Sequence, residues 1–279
     1  MSAGGGGRLF VSDIDGTLVT PDKRITEAAA RAAADLHAAG VPFAVVSSRP
    51  PRGMLSIIRA LGVELPFAAF NGGAIVAPDG AVLASHHLSA EASRTTLRVV
   101  EAAGAAPWVF ADDAWLVRDP DGPNVERERR TVGFDPEVVA DFEAAVGRID
   151  KIVAPSNDHA LLDRIERELR GALSGRANVE RSQTYYVDVT HPLANKGDAV
   201  KAIAALTGAD LSQTVVIGDM TNDIAMFRIA GFAIAMGQAP DAVKHAAAAV
   251  TAANTDEGFA RAVSELALPW LLAQPGAPT

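Results

Sequence analysis

A doubly wound α/β fold, a parallel sheet with helices on both faces, is the architecture this sequence predicts. Three observations predict it. Short uninterrupted apolar runs alternate with helical patterns near both ends of the chain, the signature of parallel strands buried on both faces. Several of those runs end in charged or hydroxylated residues, as strands do where an open α/β sheet meets its ligand. Residues 81–190 have a different texture, with apolar and polar residues alternating, as in antiparallel strands with one covered face. The expectation is a Rossmann-like core built from residues 1–80 and 191–279, split by an inserted α+β domain over residues 81–190.

Residues 8–12 read as the first strand, and 26–39 as a helix capped by Thr26 and stopped by Gly40. Residues 41–47 (VPFAVVS) form a second buried strand, 54–61 a helix closed by Gly62, and 67–70 a short strand entering the turn Asn71-Gly72-Gly73. In the insertion, strands are expected at 82–87, 108–111, 115–118, 151–154 and 179–189, and helices at 90–103, 136–146 and 159–173. One face of that sheet is expected against helices and the other open. The core resumes with a helix over 196–206 ended by Gly208 and a buried strand over 214–217 that runs into Gly218-Asp219. A helix over 224–230, a strand over 232–235, a helix over 242–248, a short strand from Val250 and a closing helix over 257–267 follow.

At 279 residues the chain is long enough for two cores. Its formal net charge of −9, with arginines spread rather than bunched, argues against nucleic acid as a partner. Absence of cysteine removes disulfides, thiolate nucleophiles and cysteine-based zinc sites, and the six histidines show no metal-ligand spacing. No apolar run approaches the ~20 residues of a membrane span; residues 266–273 are too few and contain Pro269. The opening Met1-Ser2-Ala3 and Gly4 to Gly7 lack an apolar signal core and read as a flexible arm, and residues 274–279 are expected to fray. The expectation from these features is a soluble cytoplasmic protein that takes neither nucleic acid nor membrane, with monomer and homodimer both left open.

The chemistry gathers at the strand ends. Asp13-Ile14-Asp15-Gly16-Thr17 follows the first strand, Ser47-Ser48-Arg49 the second, and Gly218-Asp219 with Asn222 and Asp223 a later one, while Asn195-Lys196-Gly197 opens the helix before it. Parallel packing brings these groups into one crevice. Carboxylates at buried strand ends need a cation or strong donors. The inventory suits phosphoryl transfer: one carboxylate to attack phosphorus, a second to donate and accept a proton, others to hold Mg²⁺, and a lysine and a hydroxyl to grip phosphoryl oxygens. Taken singly, the pieces have plainer readings. Asp15 and Thr17 are good turn formers, Asn222 and Asp223 suit a helix cap, Asn71 suits a turn, and Lys196 alone is an ordinary lysine. A calcium loop is excluded, because its sixth position holds Leu18 instead of glycine. It is the ordered conjunction that points to one site.

With these residues in place, the chain closely resembles the haloacid dehalogenase-like hydrolase superfamily, in particular its Cof-like phosphatase branch with a large α/β cap. Asp13-Ile14-Asp15-Gly16-Thr17-Leu18 resembles the first motif, Ser47 the second, Lys196-Gly197 the third and Gly218-Asp219-x-x-Asn222-Asp223 the fourth. Phe70-Asn71-Gly72-Gly73 and Ala235-Met236-Gly237-Gln238-Ala239 are also similar to that branch. Serine stands at position 47, and serine again at 48, where the branch has Thr-Gly, and Gln238 stands where it has Asn. The resemblance implies that Asp13 is the nucleophile and a Mg²⁺ ligand, and that Asp15 is the general acid/base and binds the metal through its carbonyl. It makes Asp219 a metal ligand with Asp223 close to or in the outer shell, and gives Ser47, Lys196 and Asn222 the phosphoryl group. Dehalogenases of the superfamily lack the second aspartate, so Asp15 disfavours halide chemistry. The expected activity is Mg²⁺-dependent hydrolysis of a small phosphorylated metabolite, a sugar phosphate by preference, through an aspartyl-phosphate. A phosphomutase using the same aspartate pair, and a silent Mg²⁺- and phosphate-binding protein, stand as alternatives. Arg49, Asn71, Trp115, Arg118, Tyr185 and Tyr186 are candidates to face the substrate, although the aromatic ones equally suit the core of the cap.

Overall fold

The computed structural model describes residues 7–273; the expectations for the first six residues and for 274–279 lie outside them. Gly7, assigned to the arm, already belongs to the first strand. The chain opens with β1 (Gly7–Ser12), then α1 (Glu27–Ala38), β2 (Phe43–Val45), α2 (Leu55–Ala60) and β3 (Phe67–Ala69). Helix α1 forms where Ala29, Ala32, Ala33 and Leu36 recur on one face and the Thr26 hydroxyl accepts the Ala29 N–H. β3 then folds back as β4 (Ala74–Val76) and β5 (Val82–Ser85) in an antiparallel sheet of three strands. The residues of β5 were expected in the insertion, yet they pair with β4 beside the core.

The insertion runs through α3 (Ala90–Ala102), β6 (Trp108–Ala111), β7 (Ala114–Val117), α4 (Val125–Val132), β8 (Glu137–Val138), β9 (Ile149–Pro155), α5 (His159–Ala172), β10 (Asn178–Gln183) and β11 (Tyr186–Thr190). Its six strands lie in the order β10-β11-β9-β6-β7-β8, antiparallel except for the β7–β8 pair. Three expectations are corrected here. The single strand over 179–189 is a hairpin, β10 and β11, turning at Thr184 and Tyr185. The helix over 136–146 is instead β8 and a single 3₁₀ turn, Glu143–Ala145. There the Asp141 carboxylate accepts the Glu143 N–H, a local bond that competes with helix. Finally, the sheet has no open face. One side packs α3 and α5 through Val100, Leu162, Ile165 and Leu169. The other carries Trp108, Phe110 and Trp115 into the same apolar cluster as Met54 and Phe70 of the core.

The core resumes with α6 (Lys196–Thr207), β12 (Ala209–Gly218), α7 (Ile224–Phe227), β13 (Phe232–Ala235), α8 (Asp241–Ala246), β14 (Ala249–Val250) and α9 (Gly258–Arg261). A π-helical stretch, Ala262–Ala267, leads into α10 (Leu268–Leu272), whose first turn accommodates Pro269. The parallel sheet has the order β14-β13-β12-β1-β2, and a bridge from Val46 to Ala68 joins β3 to its edge. Phe10, Val215 and Ile217 face α1, α9 and α10, while Leu9, Val11 and Val216 face α6 and α7. Both faces are therefore covered, which is why these strands are apolar throughout. From β1 the chain moves to β2 on one side and later from β12 to β13 on the other. The order reverses between β1 and β12, so the ligand crevice of the fold opens where Ser12 pairs with Ile217. Among the described residues no helix is long and apolar enough to cross a membrane.

Candidate active site

Asp13 leaves β1 with its N–H bonded to the Ile217 carbonyl at 3.0 Å, which fixes it beside the end of β12. From there the chain turns through Gly16 at φ +83°, where a Cβ would lie 2.2 Å from Asp219 Oδ2. Only glycine admits both that backbone and that close approach. Gly218 serves likewise at the end of β12, since a Cβ there would stand 2.3 Å from Asp223 Cγ. Asp223 Oδ2 accepts the N–H groups of Asp219 and Met220, both at 2.8 Å, which shapes the turn that follows. Asp13, Asp219 and Asp223, all buried, offer carboxylate oxygens within 4.8 Å of one another. Lys196, in the first turn of α6, sends its ammonium to Asp13 Oδ1 at 2.6 Å and Asp223 Oδ1 at 2.5 Å.

Three buried carboxylates against one buried ammonium leave an excess of negative charge. Burial, only partly countered by Lys196 and reinforced by Asp223, pushes Asp13 up to about 7. Burial together with Asp13 and Asp223 also raises Asp219 well above the usual carboxylate range. Lys196 is raised as well, because Asp13 and Asp223 outweigh the burial that would lower it. A set of hard oxygen donors under such mutual repulsion fits a divalent cation of the Mg²⁺ type.

Asp15 points the other way. Its Oδ2 accepts Arg49 Nε at 2.6 Å and its Oδ1 accepts Arg49 Nη2 at 2.7 Å, a bidentate pair, while Lys23 Nζ donates to Oδ1 at 2.6 Å. Burial alone would raise this carboxyl, but Arg49 and Lys23 overcome it and hold Asp15 well below the usual carboxylate range. The sequence reading gave one aspartate the protonated state and the other the ionised state. In this arrangement Asp15 is the more firmly ionised of the two. Arg49 also donates from Nη1 to the Thr131 carbonyl at 2.8 Å and the Gly53 carbonyl at 3.2 Å. It thereby ties Asp15 to the end of α4.

The remaining candidates divide clearly. Ser47 is fully buried at the end of β2, its hydroxyl accepting the Arg49 N–H at 3.2 Å. Asn222 Nδ2 donates to Asn71 Oδ1 at 3.1 Å, leaving Asn71 Nδ2 and Asn222 Oδ1 buried without a hydrogen-bond partner. Asn71 adopts left-handed backbone, φ 58°, as a turn residue does. Trp115 is fully buried against Trp108 and Phe110, so it is core and not a substrate contact. Arg118 does not line the cleft between cap and core; it pairs with Glu101 at 2.7 Å and lies over Phe142. Tyr185 and Tyr186 do reach the cleft between the cap and the core, a cavity of about 20 Å³ lined also by Asp15, Ser48 and Arg49.

That cleft also contains charged residues that the sequence did not single out, Lys23, Glu128 and Lys151. Lys151 donates to the Ser48 carbonyl at 2.9 Å and to Asp188 Oδ2 at 3.3 Å. Its signal was a lysine amid the apolar residues of β9, on the side of the strand that carries Val153. Glu128 lies on α4, an unexpected helix whose charged sequence VERERRTV hides a buried face of Val125, Glu128 and Val132. Gln238 adds a brace, donating to the Gly16 carbonyl at 2.5 Å and accepting the Asn254 N–H at 3.1 Å.

A doubly wound parallel sheet with an inserted second sheet, and an aspartate cluster at its switch point, defines an α/β protein with a cation-ready acidic centre. A description of the haloacid dehalogenase-like hydrolase family matches residues 10–263, and the chain belongs to that family. Among curated proteins it is similar to the HMP-PP phosphatase of Cronobacter sakazakii, 29% identical over 83% of this chain and 85% of that protein. A haloacid dehalogenase-like hydrolase from Bacteroides thetaiotaomicron superposes with TM-score 0.81 at 23% identity, covering 93% of this chain and 99% of the other. The subclass IIB sugar phosphatase BT4131 superposes with TM-score 0.82 at 24% identity, covering 94% and 99%. These superpositions establish the fold.

Proposed function

We propose that this protein is a Mg²⁺-dependent phosphomonoester hydrolase that works through an aspartyl-phosphate, with a sugar phosphate as the favoured substrate. One observation carries the reading: Asp13, Asp219 and Asp223 converge at the switch point with Lys196 bridging Asp13 and Asp223. An Asp13 oxygen attacks phosphorus, the bond to the leaving oxygen breaks, and Asp15 supplies the proton that oxygen takes. Water then attacks the phosphorus, gives its proton to Asp15, and releases phosphate and free Asp13. Ser47, Lys196 and Asn222 hold the phosphoryl oxygens, with the Asn71 amide beside them; the unpartnered Asn71 Nδ2 is a buried donor that supports such a role, whereas Asn222 reaches them by turning its Nδ2 away from Asn71 Oδ1. Asp13, Asp219 and the Asp15 carbonyl would hold Mg²⁺, with Asp223 alongside, and a bound ion would supply charge neutralisation for the phosphoryl group. For Asp15 to act as an acid, its contacts with Arg49 and Lys23 must loosen as the leaving group enters. The polar lining of the cleft, including Ser182 and Gln183, favours a hydroxylated leaving group.

Turnover of p-nitrophenyl phosphate tests the reading. EDTA is expected to abolish it and Mg²⁺ to restore it, and Asp13→Asn is expected to abolish it while the circular dichroism spectrum stays native. Retained turnover in Asp13→Asn would overturn the nucleophile assignment.

A further inference from the structure

Each cation lining the cleft between cap and core already has a carboxylate, and one carboxylate has no cation. Lys23 and Arg49 are both paired with Asp15, and Lys151 with Asp188. Glu128 is 5% exposed and takes part in none of these pairs. Lys151 and Arg49 act on it from nearby, but both are committed to other carboxylates. The Tyr186 hydroxyl adjoins Glu128 and has no other hydrogen-bond partner, so the nearest donor to this carboxylate is neutral. Asp188 Oδ1, behind Lys151, is a further buried acceptor left open. A buried carboxylate without a counter-ion is costly, and protein interiors normally neutralise it with a cation or a proton.

The location gives this charge its use. Glu128 and Asp15 line the same small cavity. On the phosphatase reading, Asp15 protonates the leaving oxygen, so whatever is attached to that oxygen lies in this cavity. At about 20 Å³ the cavity has room for about one water. The cap must therefore step back for a leaving group to enter, and α4 returns with Glu128 as its buried contact.

We propose that Glu128 is a specificity-determining residue of the cap and that the leaving group carries a protonated amine which pairs with it. Small phosphomonoesters with an ammonium group are then preferred over isosteric compounds with a hydroxyl in its place. Burial raises the Glu128 carboxyl, with Lys151 opposing and Asp15 and Asp188 adding to the rise. An incoming ammonium relieves that situation, whereas a hydroxyl supplies only a neutral donor.

The inference rests on the phosphatase reading, and the test separates the two. Turnover of p-nitrophenyl phosphate, which has no amine, reports the phosphatase chemistry by itself. The amine preference is read from two matched pairs: glucosamine 6-phosphate against glucose 6-phosphate, and pyridoxamine 5′-phosphate against pyridoxine 5′-phosphate. In the wild-type protein kcat/KM is expected to favour the amine by about tenfold in at least one pair, the factor that corresponds to a single good contact. Glu128→Gln should bring that ratio close to one, and Glu128→Asp should restore part of it. Ratios near one for both pairs in the wild-type protein overturn the proposal without any variant being needed. A ratio that survives Glu128→Gln overturns it as well. Loss of p-nitrophenyl phosphate turnover in the wild-type protein would instead remove the hydrolase reading on which the proposal stands.

Discussion

At the scale of single residues, the candidate site is a problem of charge and clearance. Asp13, Asp219 and Asp223 crowd together because the two glycines beside them yield space that no other residue yields. Gly16 is the sharper case, since a Cβ would fall 2.2 Å from Asp219 Oδ2 and the backbone is left-handed at φ +83°. Gly16→Ala is therefore expected to displace Asp219 and to cost ~1–3 kcal/mol of backbone strain. Urea unfolding should show the lost stability, and calorimetry should show weakened Mg²⁺ binding beyond what unfolding accounts for. Stability lost with Mg²⁺ affinity retained would mean that Asp219 tolerates the intrusion. Arg49 shows what residue types alone do not reveal. Read in sequence it is a basic residue after a strand, a candidate for the substrate. In the fold its guanidinium is used on Asp15, Gly53 and Thr131, so it positions the second aspartate and reports where the cap lies.

Between elements, the contact that matters most is α4 against the turn that precedes α2. A Cβ on Gly53 would meet the Val132 Cα at 3.1 Å and the Val132 carbonyl oxygen at 3.3 Å, so the cap helix rests directly on core backbone. Gly53→Val is expected to push α4 outward, because overpacking a tight contact costs ~1–3 kcal/mol. The measurable consequences are a lower urea midpoint and faster proteolysis within residues 119–135; an unchanged cleavage pattern would mean that the helix is held elsewhere. The same helix explains which parts of the structure were legible in the sequence. The parallel strands were legible because burial on both faces makes them continuous apolar runs, as in 41–47 and 214–217. The aspartates were legible because they stand at or just beyond the ends of such runs, and Lys196 because it opens a helix behind the capping residue Asn195. Helix α4 was not, since a buried glutamate breaks the apolar period by which helices are recognised, and its start follows Asn124 in left-handed backbone. Trp115 misled for the converse reason. An aromatic residue in a strand looks the same whether it faces ligand or core, and only the packing of Trp108 and Phe110 around it decides.

For the molecule as a whole, the proposed Mg²⁺ site links stability to pH. Asp13 has a folded-state value of about 7 against an ordinary 3.8, so the folded chain holds this proton more tightly than the unfolded one. Its contribution to stability is present in full below pH 3.8 and is lost as pH rises through about 7. Asp15 has the opposite sign: it is depressed in the folded state, so its contribution is present above 3.8 and is lost as pH falls below that value. Without a divalent ion the two effects together move the stability maximum to the acidic side of neutrality. A bound cation competes with the proton for Asp13 and favours the ionised carboxylates of Asp219 and Asp223, so its affinity rises with pH up to about 7. The rise in melting temperature on adding a fixed concentration of Mg²⁺ should therefore be small at pH 5 and large at pH 8, since ligand stabilisation grows with affinity. Asp13→Asn, which has no proton to exchange there, should flatten that difference. A Mg²⁺ effect equal at both pH values in the wild-type protein would place the ion somewhere other than on Asp13, and the acidic centre would then need another occupant to balance its charge.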